Sequence, residues 1–463
     1  MSQSDVVVTS VEHQLDAIAP GAFHRKVAWL IGAGMFIDGF NLYMLSPVLA
    51  AFVASGFSSV AFNATILFYN FLGLAIGSLL SGLVTDYFGR QKMYQINLLT
   101  FGIASLLAAL SPSVTWFTAF RFIIGVALGG EIITGYATLA EFVPPERRGK
   151  NGNLLNTLVS LGQPASAFVG LALLPVWGWR GMFALIGVAG LLVWGLRHAL
   201  PESPRWLARK GRLELAQTIV EGIARDESLW ALRRRAQELA RKNSPGASPS
   251  GAPSTQKVPW TVLFRGRLLS HTVIAVLLQC VQLCVVFGFL SWVPTLLVAE
   301  HFTLIHSLFY TALMGLGLPI GGLLGLLFAD SLGRKAVMIG SGLLGAVFGV
   351  AYGFSLHSGP EVVMLLGFLT EVMIMGFGGV SIATYVPELF PTEVRATGGG
   401  FAVAVGRVAS AVFPFAVVAV FHHLGAHWVF LMIAATLLLG VITAALGPET
   451  RRRSLEEIVR LPG

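Results

Sequence analysis

Gly82-Leu83-Val84-Thr85-Asp86-Tyr87-Phe88-Gly89-Arg90-Gln91-Lys92 is a short charged stretch between two long apolar runs. Flanked in that way, it reads as a tight loop joining two membrane helices. A second copy, Asp330-Ser331-Leu332-Gly333-Arg334-Lys335, again separates two apolar runs. Each residue type has a mechanical reason to be there. Gly82 lets a neighbouring helix come close. Asp86, at the end of its own helix, suits the positive N-terminus of another. Gly89 permits a left-handed turn, and Arg90 with Lys92 holds the loop on the cytoplasmic side. In the second copy Asp330, Gly333 and Arg334 repeat the pattern, with Leu326 where the leading glycine would stand.

The rest of the chain fits a membrane setting. Of its 463 residues 55% are hydrophobic and 12% are charged, against about a quarter charged in a water-soluble domain. Apolar stretches long enough to cross a bilayer begin near Val27, Val60, Met93, Trp116, Leu154, Gly181, Leu268, Ile305, Ala336, Val362, Ala396 and Trp428. The expected fold class is an all-α polytopic membrane protein with twelve transmembrane helices in two six-helix bundles. The expected division is a cytoplasmic tail at 1–26, a bundle at 27–200, a cytoplasmic segment and linker at 201–267, a second bundle at 268–447 and a tail at 448–463.

The formal charge of +8 is spread over alternate loops and both ends, as at Arg25-Lys26, Arg147-Arg148-Lys150, the stretch from Arg205 to Arg267, and Arg451-Arg452-Arg453. The opposite loops carry no Lys or Arg except Arg180. The positive-inside rule then puts both termini in the cytoplasm. Trp116, Trp177, Trp179, Trp292 and Trp428 fall near the inferred outer ends and suit an aromatic belt. Basic residues parcelled among loops do not make a nucleic-acid surface. Residues 1–26 lack a basic segment ahead of an apolar core, so they do not resemble a cleaved signal peptide. Cys280 and Cys284, one helical turn apart in an apolar segment, read as packed thiols. His422, His423 and His427 have no Cys or acid beside them and read as a solvated loop, so no metal site is expected.

Between the halves, Pro204 to Lys242 has helical patterning, with Leu213, Ala216, Ile219, Val220 and Ile223 on one side. The run from Ser244 to Ser254 is rich in Ser, Pro and Gly and reads as a flexible linker. The duplication extends further. Glu141-Phe-Val-Pro-Pro-Glu-Arg-Arg148 follows the fourth span, and Glu388-Leu-Phe-Pro-Thr-Glu-Val-Arg395 follows the tenth. Parallel halves with a site at mid-membrane between them are a known transporter plan.

The two charged loops resemble the signature loop of the major facilitator superfamily, which helps latch the two halves in one of two conformations. Pro201-Glu202-Ser203-Pro204-Arg205-Trp206-Leu207 and the stretch from Pro387 to Gly398 resemble the sugar-porter signatures. In that family the corresponding segments join a small cytoplasmic helical bundle bridging the halves. Sugar porters usually carry a paired Gln followed by Asn and tyrosines on the seventh span. Here Gln279-Cys-Val-Gln282 is followed by Leu-Cys-Val-Val-Phe, and the family's tryptophan on the tenth span is absent. Asp38-Gly39-Phe40 on the first span, and Gly406-Arg407 with Pro414 on the eleventh, resemble symporters of aromatic and other organic acids. Where that group shows a second acid, this chain has Asn41.

Asp38, Arg121, Glu131, Glu371 and Arg407 lie inside apolar spans, where a charge costs a few kcal/mol and so asks for a partner or a cavity. Asp38, Glu131 and Arg407 fall at about mid-membrane, some 15 Å from the helix ends at 1.5 Å per residue. The resemblance implies that Asp38 carries the coupling proton and that Arg121 is its changing partner. Glu131 is a second coupling site or a structural acceptor. Arg407 is suited to clamp a carboxylate through two parallel hydrogen bonds, unless it pairs with Glu371 on the adjoining span. Asn41, Gln279, Gln282 and Glu371 complete the expected substrate residues. Glu141, Arg148, Glu388 and Arg395 are expected as latch residues against the loops.

The reading is a secondary transporter taking up a small organic acid with protons. It needs no cofactor beyond the coupling proton, and its partners are a small-molecule substrate and the lipid bilayer. It is expected to act as a monomer in a cell membrane, the inner membrane of a bacterium. A proton-coupled sugar or polyol carrier is the alternative. Drug efflux is disfavoured because Gly162-Gln163-Pro164-Ala165 on the fifth span is not the glycine-rich Gly-Pro motif of such antiporters. A non-transporting nutrient receptor would carry a longer tail. An enzyme is not expected, since no Ser-His pair or paired-His motif stands within the spans.

Overall fold

The computed structural model of the protein describes residues 11, 13–19, 21–242, 260–391 and 394–450. The linker after Lys242 and the tail from Arg451 lie outside the described residues, as do the side chains of Asp86, Arg148 and Asp330 and the surroundings of Gly82. Everything regular among the described residues is helical.

Twelve spans are formed. Span 1 is Ala22–Ser55, span 2 Val60–Phe88, span 3 Arg90–Ala109 and span 4 Val114–Phe142. Pro145–Arg197 contains spans 5 and 6, divided at Gly178, whose φ of 62° is glycine's own territory. Span 7 is Gly266–Leu290. Span 8 is Leu304–Met314 with Gly317–Leu332. Span 9 is Arg334–Ser355, span 10 Pro360–Val380, span 11 Arg395–Leu424 and span 12 Ala426–Leu446. Ten helices pass on length and apolarity alone. The difference from twelve arises because spans 5 and 6 run on as one helix, and because span 3 carries Gln, Asn and Lys.

The packing repeats between halves. Span 1 lies along span 5, span 2 along span 4, and span 3 along span 6. In the second half the same pairings are 7 with 11, 8 with 10, and 9 with 12. Glycines set the closest of these approaches. A Cβ on Gly39 would fall 2.1 Å from the Val159 carbonyl oxygen, and one on Gly162 would fall 2.3 Å from the Phe40 nitrogen. Gly406 does the same work against Gln279 in the matching pair. The glycines beside Asp38 and Arg407 are therefore contact glycines, which brings spans 1 and 5, and spans 7 and 11, nearly backbone to backbone.

The halves meet where span 2 crosses span 11, where span 5 meets span 8, and where span 1 meets the segment after span 7. Named contacts across the seam lie at mid-depth or towards the face opposite the termini. Ser46 donates to the Leu290 carbonyl at 2.6 Å, and Phe68 meets Phe415. Among the described residues the contacts that join the halves therefore gather at mid-depth and towards the face away from the termini.

Three further helices follow span 6: Pro204–Arg209, Leu213–Ala224 and Leu229–Lys242. Ala216, Ile219, Val220 and Ile223 are buried, as their spacing predicts. Their core is shared with Val11, Leu15, Phe23, Val27 and Phe142 and with no residue of the second half. Among the described residues the segment therefore packs on the first half. The division at residue 26 also moves. Span 1 begins at Ala22, and Asp226 accepts from the Ala22 and Phe23 amides at 3.2 and 2.6 Å. A carboxylate there meets the unsatisfied donors and positive end of span 1.

The aromatic belt is smaller than expected. Trp116, Trp177 and Trp428 are exposed, but Trp292 and Trp179 are buried. Trp179 packs edge-to-face against Phe52 and Phe117 and at a tilt against Phe57. Arg180, the lone basic residue on that face, lies over the Trp179 ring at 4.2 Å and donates to the Ser111 carbonyl at 3.0 Å.

Candidate functional site

Asp38 and Glu131, from spans 1 and 4, belong to one buried cluster of charges, and a residue missed in the sequence joins them. Arg197, near the end of span 6, is 1% exposed. It forms an ion pair with Glu131 and donates to the Ile31 and Leu30 carbonyls at 2.9 and 3.2 Å. Its guanidinium lies 4.4 Å from the Tyr94 ring centre. Gly34 makes the room, since a Cβ there would overlap the guanidinium. Asp38 lies in the electrostatic reach of both Glu131 and Arg197. One oxygen of Asp38 and one of Glu131 have no hydrogen-bond partner. Two acids therefore face one cation, and neutrality of the cluster asks for one proton. The signal in the sequence was an arginine inside the apolar run from Leu191 to Leu200, easily taken for a loop charge.

Arg121 does something else. The expected contact with Asp38 is not formed in this conformation. Its two terminal nitrogens donate to Asn41 at 2.9 Å and to Asn70 at 2.6 Å. Asn41 lies three residues beyond Asp38, on the same face of span 1 and about 4.5 Å further along its axis, and so meets Arg121, which stands ten residues before Glu131 on the oppositely running span 4. The arginine that resemblance assigned to an acid is held by two neutral amides.

At the seam, Arg407 donates to the Leu74 carbonyl of span 2 at 3.2 Å. It does not pair with Glu371. That carboxyl accepts instead from the Gln163 amide of span 5, at 3.4 and 3.3 Å. Gln279 and Gln282 are buried on span 7, each with an unpartnered side-chain oxygen. Gln282 presses on Gly378 of span 10, and Gln279 backs onto Gly406. A small pocket beside Gln163 is lined by Tyr43, Ser46, Ser166, Ser291 and Thr311. Asn41, Arg121 and the acids thus belong to the first bundle, whereas Arg407, Glu371 and Gln163 meet at the boundary.

On the face carrying the termini, the loops close on the ends of spans 4 and 10. Arg90 pairs with Glu141 at 2.8 Å, and Arg334 with Glu388 at 3.3 Å. Gly89 and Gly333 have φ of 98° and 103° but extended ψ of 160° and 150°, so neither makes the left-handed helical turn expected. Arg395 donates to the Phe390 carbonyl at 3.4 Å. Glu202, from the Pro-Glu-Ser-Pro-Arg stretch, caps span 3 by accepting from the Arg90 and Gln91 amides at 2.9 and 3.3 Å. Burial pushes its carboxyl above the usual range, against the pull of those amides.

Residues 34–461 match the family model described as sugar (and other) transporter. The chain is 32% identical to the inner membrane metabolite transport protein YdjE of Escherichia coli over 96% of this chain and 97% of that one. It is 29% identical to the niacin transporter NiaP of Acinetobacter baylyi, over 96% and 98%. The xylose transporter XylE of E. coli, in a partially occluded inward open conformation, has the same fold at a TM-score of 0.72 and 21% identity, covering 94% of this chain and 100% of that one. Six helices repeated, polar groups buried at their seam and a match over nearly the whole length give one conclusion: this multi-pass membrane chain belongs to the sugar (and other) transporter family of the major facilitator superfamily.

Proposed function

We propose that the protein takes up a small organic acid together with protons, its two bundles rocking about the seam so that each face opens in turn. The face carrying the basic loops and both termini is cytoplasmic, and the protein works as a monomer in the inner membrane of a bacterium. The observation that carries the reading is Arg407. It is a buried guanidinium at the boundary of the two halves, with a single backbone carbonyl as its recorded partner. A cation so placed gains most from a carboxylate that brings its own charge. The similarity to a niacin transporter supports the choice, niacin being itself a carboxylic acid.

The proton resides on the Asp38–Glu131 pair. Arg197 holds one acid, and the other takes up or gives off the proton as spans 1 and 4 meet or leave water. Glu131 thereby becomes part of the coupling site, and Arg121 with Asn41 becomes scaffold. A second reading, uptake of a neutral sugar or polyol with protons, is favoured by the hydroxyl and amide lining of the Tyr43–Ser46–Gln163 pocket. Radiolabelled uptake into membrane vesicles with an imposed inward proton gradient separates the two. Accumulation of aromatic or hydroxy acids, abolished by collapsing the gradient, is expected. Accumulation of sugars alone would replace the first reading with the second.

A further inference from the structure

The Asp38 cluster leaves one buried acid unexplained. Glu371 is 1% exposed on span 10, in the second half, and no cation pairs with it among the described residues. Two tyrosines lie within its electrostatic reach, Tyr43 from span 1 and Tyr352 from span 9. Span 8 offers Gly317 against its Cβ. Its one recorded hydrogen-bond partner is the Gln163 amide, which belongs to the other half, and the oxygen of that same amide has no partner.

An ionised carboxylate in such a place would be buried with no counter-charge, which burial strongly disfavours. A protonated one has the opposite property. A carboxylic acid both donates and accepts, and so does a primary amide. In this structure the Gln163 amide nitrogen lies between the two carboxyl oxygens, at 3.4 and 3.3 Å; a turn of the amide sets the two groups face to face in two reciprocal hydrogen bonds, with the unpartnered amide oxygen as the acceptor of the acid's O–H. The ionised form can only accept, so it leaves that oxygen orphaned.

We propose that Glu371 and Gln163 form a second proton-binding site, an acid–amide bridge that closes the outer seam only while Glu371 carries a proton. When the halves part on the outer side, span 5 withdraws from span 10 and the small pocket beside Gln163 opens to water. The O–H bond then breaks, its proton passing to that water, and the ionised carboxylate is solvated and no longer attracted across the seam. Proton uptake from outside re-forms the O–H bond and restores the bridge. External acid thus favours closure of the outer face, and the second half also carries a titrating group. The proposal rests on the alternating-access reading above but not on the substrate or on the Asp38 cluster.

The test needs no substrate. Exposed Thr115 and Ser358, on the outer ends of the two halves, are replaced by Cys and spin-labelled in a Cys280→Ser/Cys284→Ser background. Distances are then read in nanodiscs from pH 5 to pH 9. In the otherwise native protein the short, closed distance is expected at acidic pH, with growth of a longer one as pH rises. Glu371→Gln replaces the acid by an amide that pairs without a titratable proton, so it should stay at the short distance throughout. Gln163→Leu removes the other member of the bridge and leaves the acid alone, so it should show the longer distance even at acidic pH. A Glu371→Gln protein that titrates as the parent does overturns the proposal. So does a parent distance that ignores pH, or a Gln163→Leu protein indistinguishable from it. Failure of acid uptake with the distances behaving as expected would strike the substrate reading alone.

Discussion

Replacing Arg197 by Gln should be among the most destabilising single changes in this protein, and replacing Glu131 as well should undo most of the damage. Arg197 holds Glu131 in an ion pair, donates to two carbonyls of span 1 and lies over Tyr94. Removing one member of a buried ion pair costs about 3–5 kcal/mol, because the other is left charged in a medium that cannot solvate it. Loss of the desolvated cation–π contact, worth about 2 kcal/mol, falls within that range because the same side chain makes both. Converting both members to Gln removes both charges, and such neutral replacements of buried pairs are often close to neutral in stability. Arg197→Gln/Glu131→Gln should therefore recover more than half of the loss. Glu131→Gln alone should cost less than Arg197→Gln, since Asp38 remains in reach of the guanidinium. Thermal unfolding in nanodiscs, followed by tryptophan fluorescence, orders the variants. A loss under about 1 kcal/mol for Arg197→Gln, below the range for a buried pair, would refute the cluster as described. So would a double variant as unstable as the single.

Asp38→Asn should abolish proton-driven accumulation in vesicles while leaving counterflow intact; uphill uptake that persists would remove Asp38 from the coupling site. Arg407→Lys keeps the charge and loses the fork, so the KM for an acidic substrate should rise about 10-fold or more, in line with a charge-assisted bond of 1.5–3 kcal/mol; an unchanged KM would dismiss the clamp. Gly39→Ala puts a methyl 2.1 Å from the Val159 carbonyl oxygen, and overpacking of this kind costs about 1–3 kcal/mol, read as a lowered midpoint in the same unfolding experiment. Glu202 is held above the ordinary carboxyl range by burial, so its linked stability is full at acidic pH and is lost as pH rises through its raised value. Glu202→Gln should remove that part of the pH dependence, and melting curves whose difference from the parent does not change with pH would count against it.

The ion-paired loop residues divide between what is local and what is not. Arg90 and Glu141, like Arg334 and Glu388, were legible because the charged loops and the Glu-containing stretches recur in order in both halves. Their pairing at 2.8 and 3.3 Å joins loop to span within each half. Glu202 was legible as part of a motif, but its work as the cap of span 3 was not. That cap depends on span 6 delivering the residue beside Gly89, from far along the chain.

By itself the sequence determined what is local: twelve apolar runs, the alternation of basic loops, the repeat, and five of the charges inside the spans, though not Arg197. Hydropathy and spacing carry that information because a membrane helix must satisfy its own backbone and needs no partner to form. Tertiary structure alone decided which charges meet. Depth along span 1 matches Asp38 with Glu131 and Arg197 while Asn41, one turn further out, meets Arg121, and glycine crossings at Gly39, Gly162 and Gly406 set how close the spans come. Arg407 and Glu371, adjoining in sequence order, turn instead to Leu74 and Gln163 of the other half. Partnership of buried charges is a property of the packed bundle, since each chooses among neighbours brought by several helices at once.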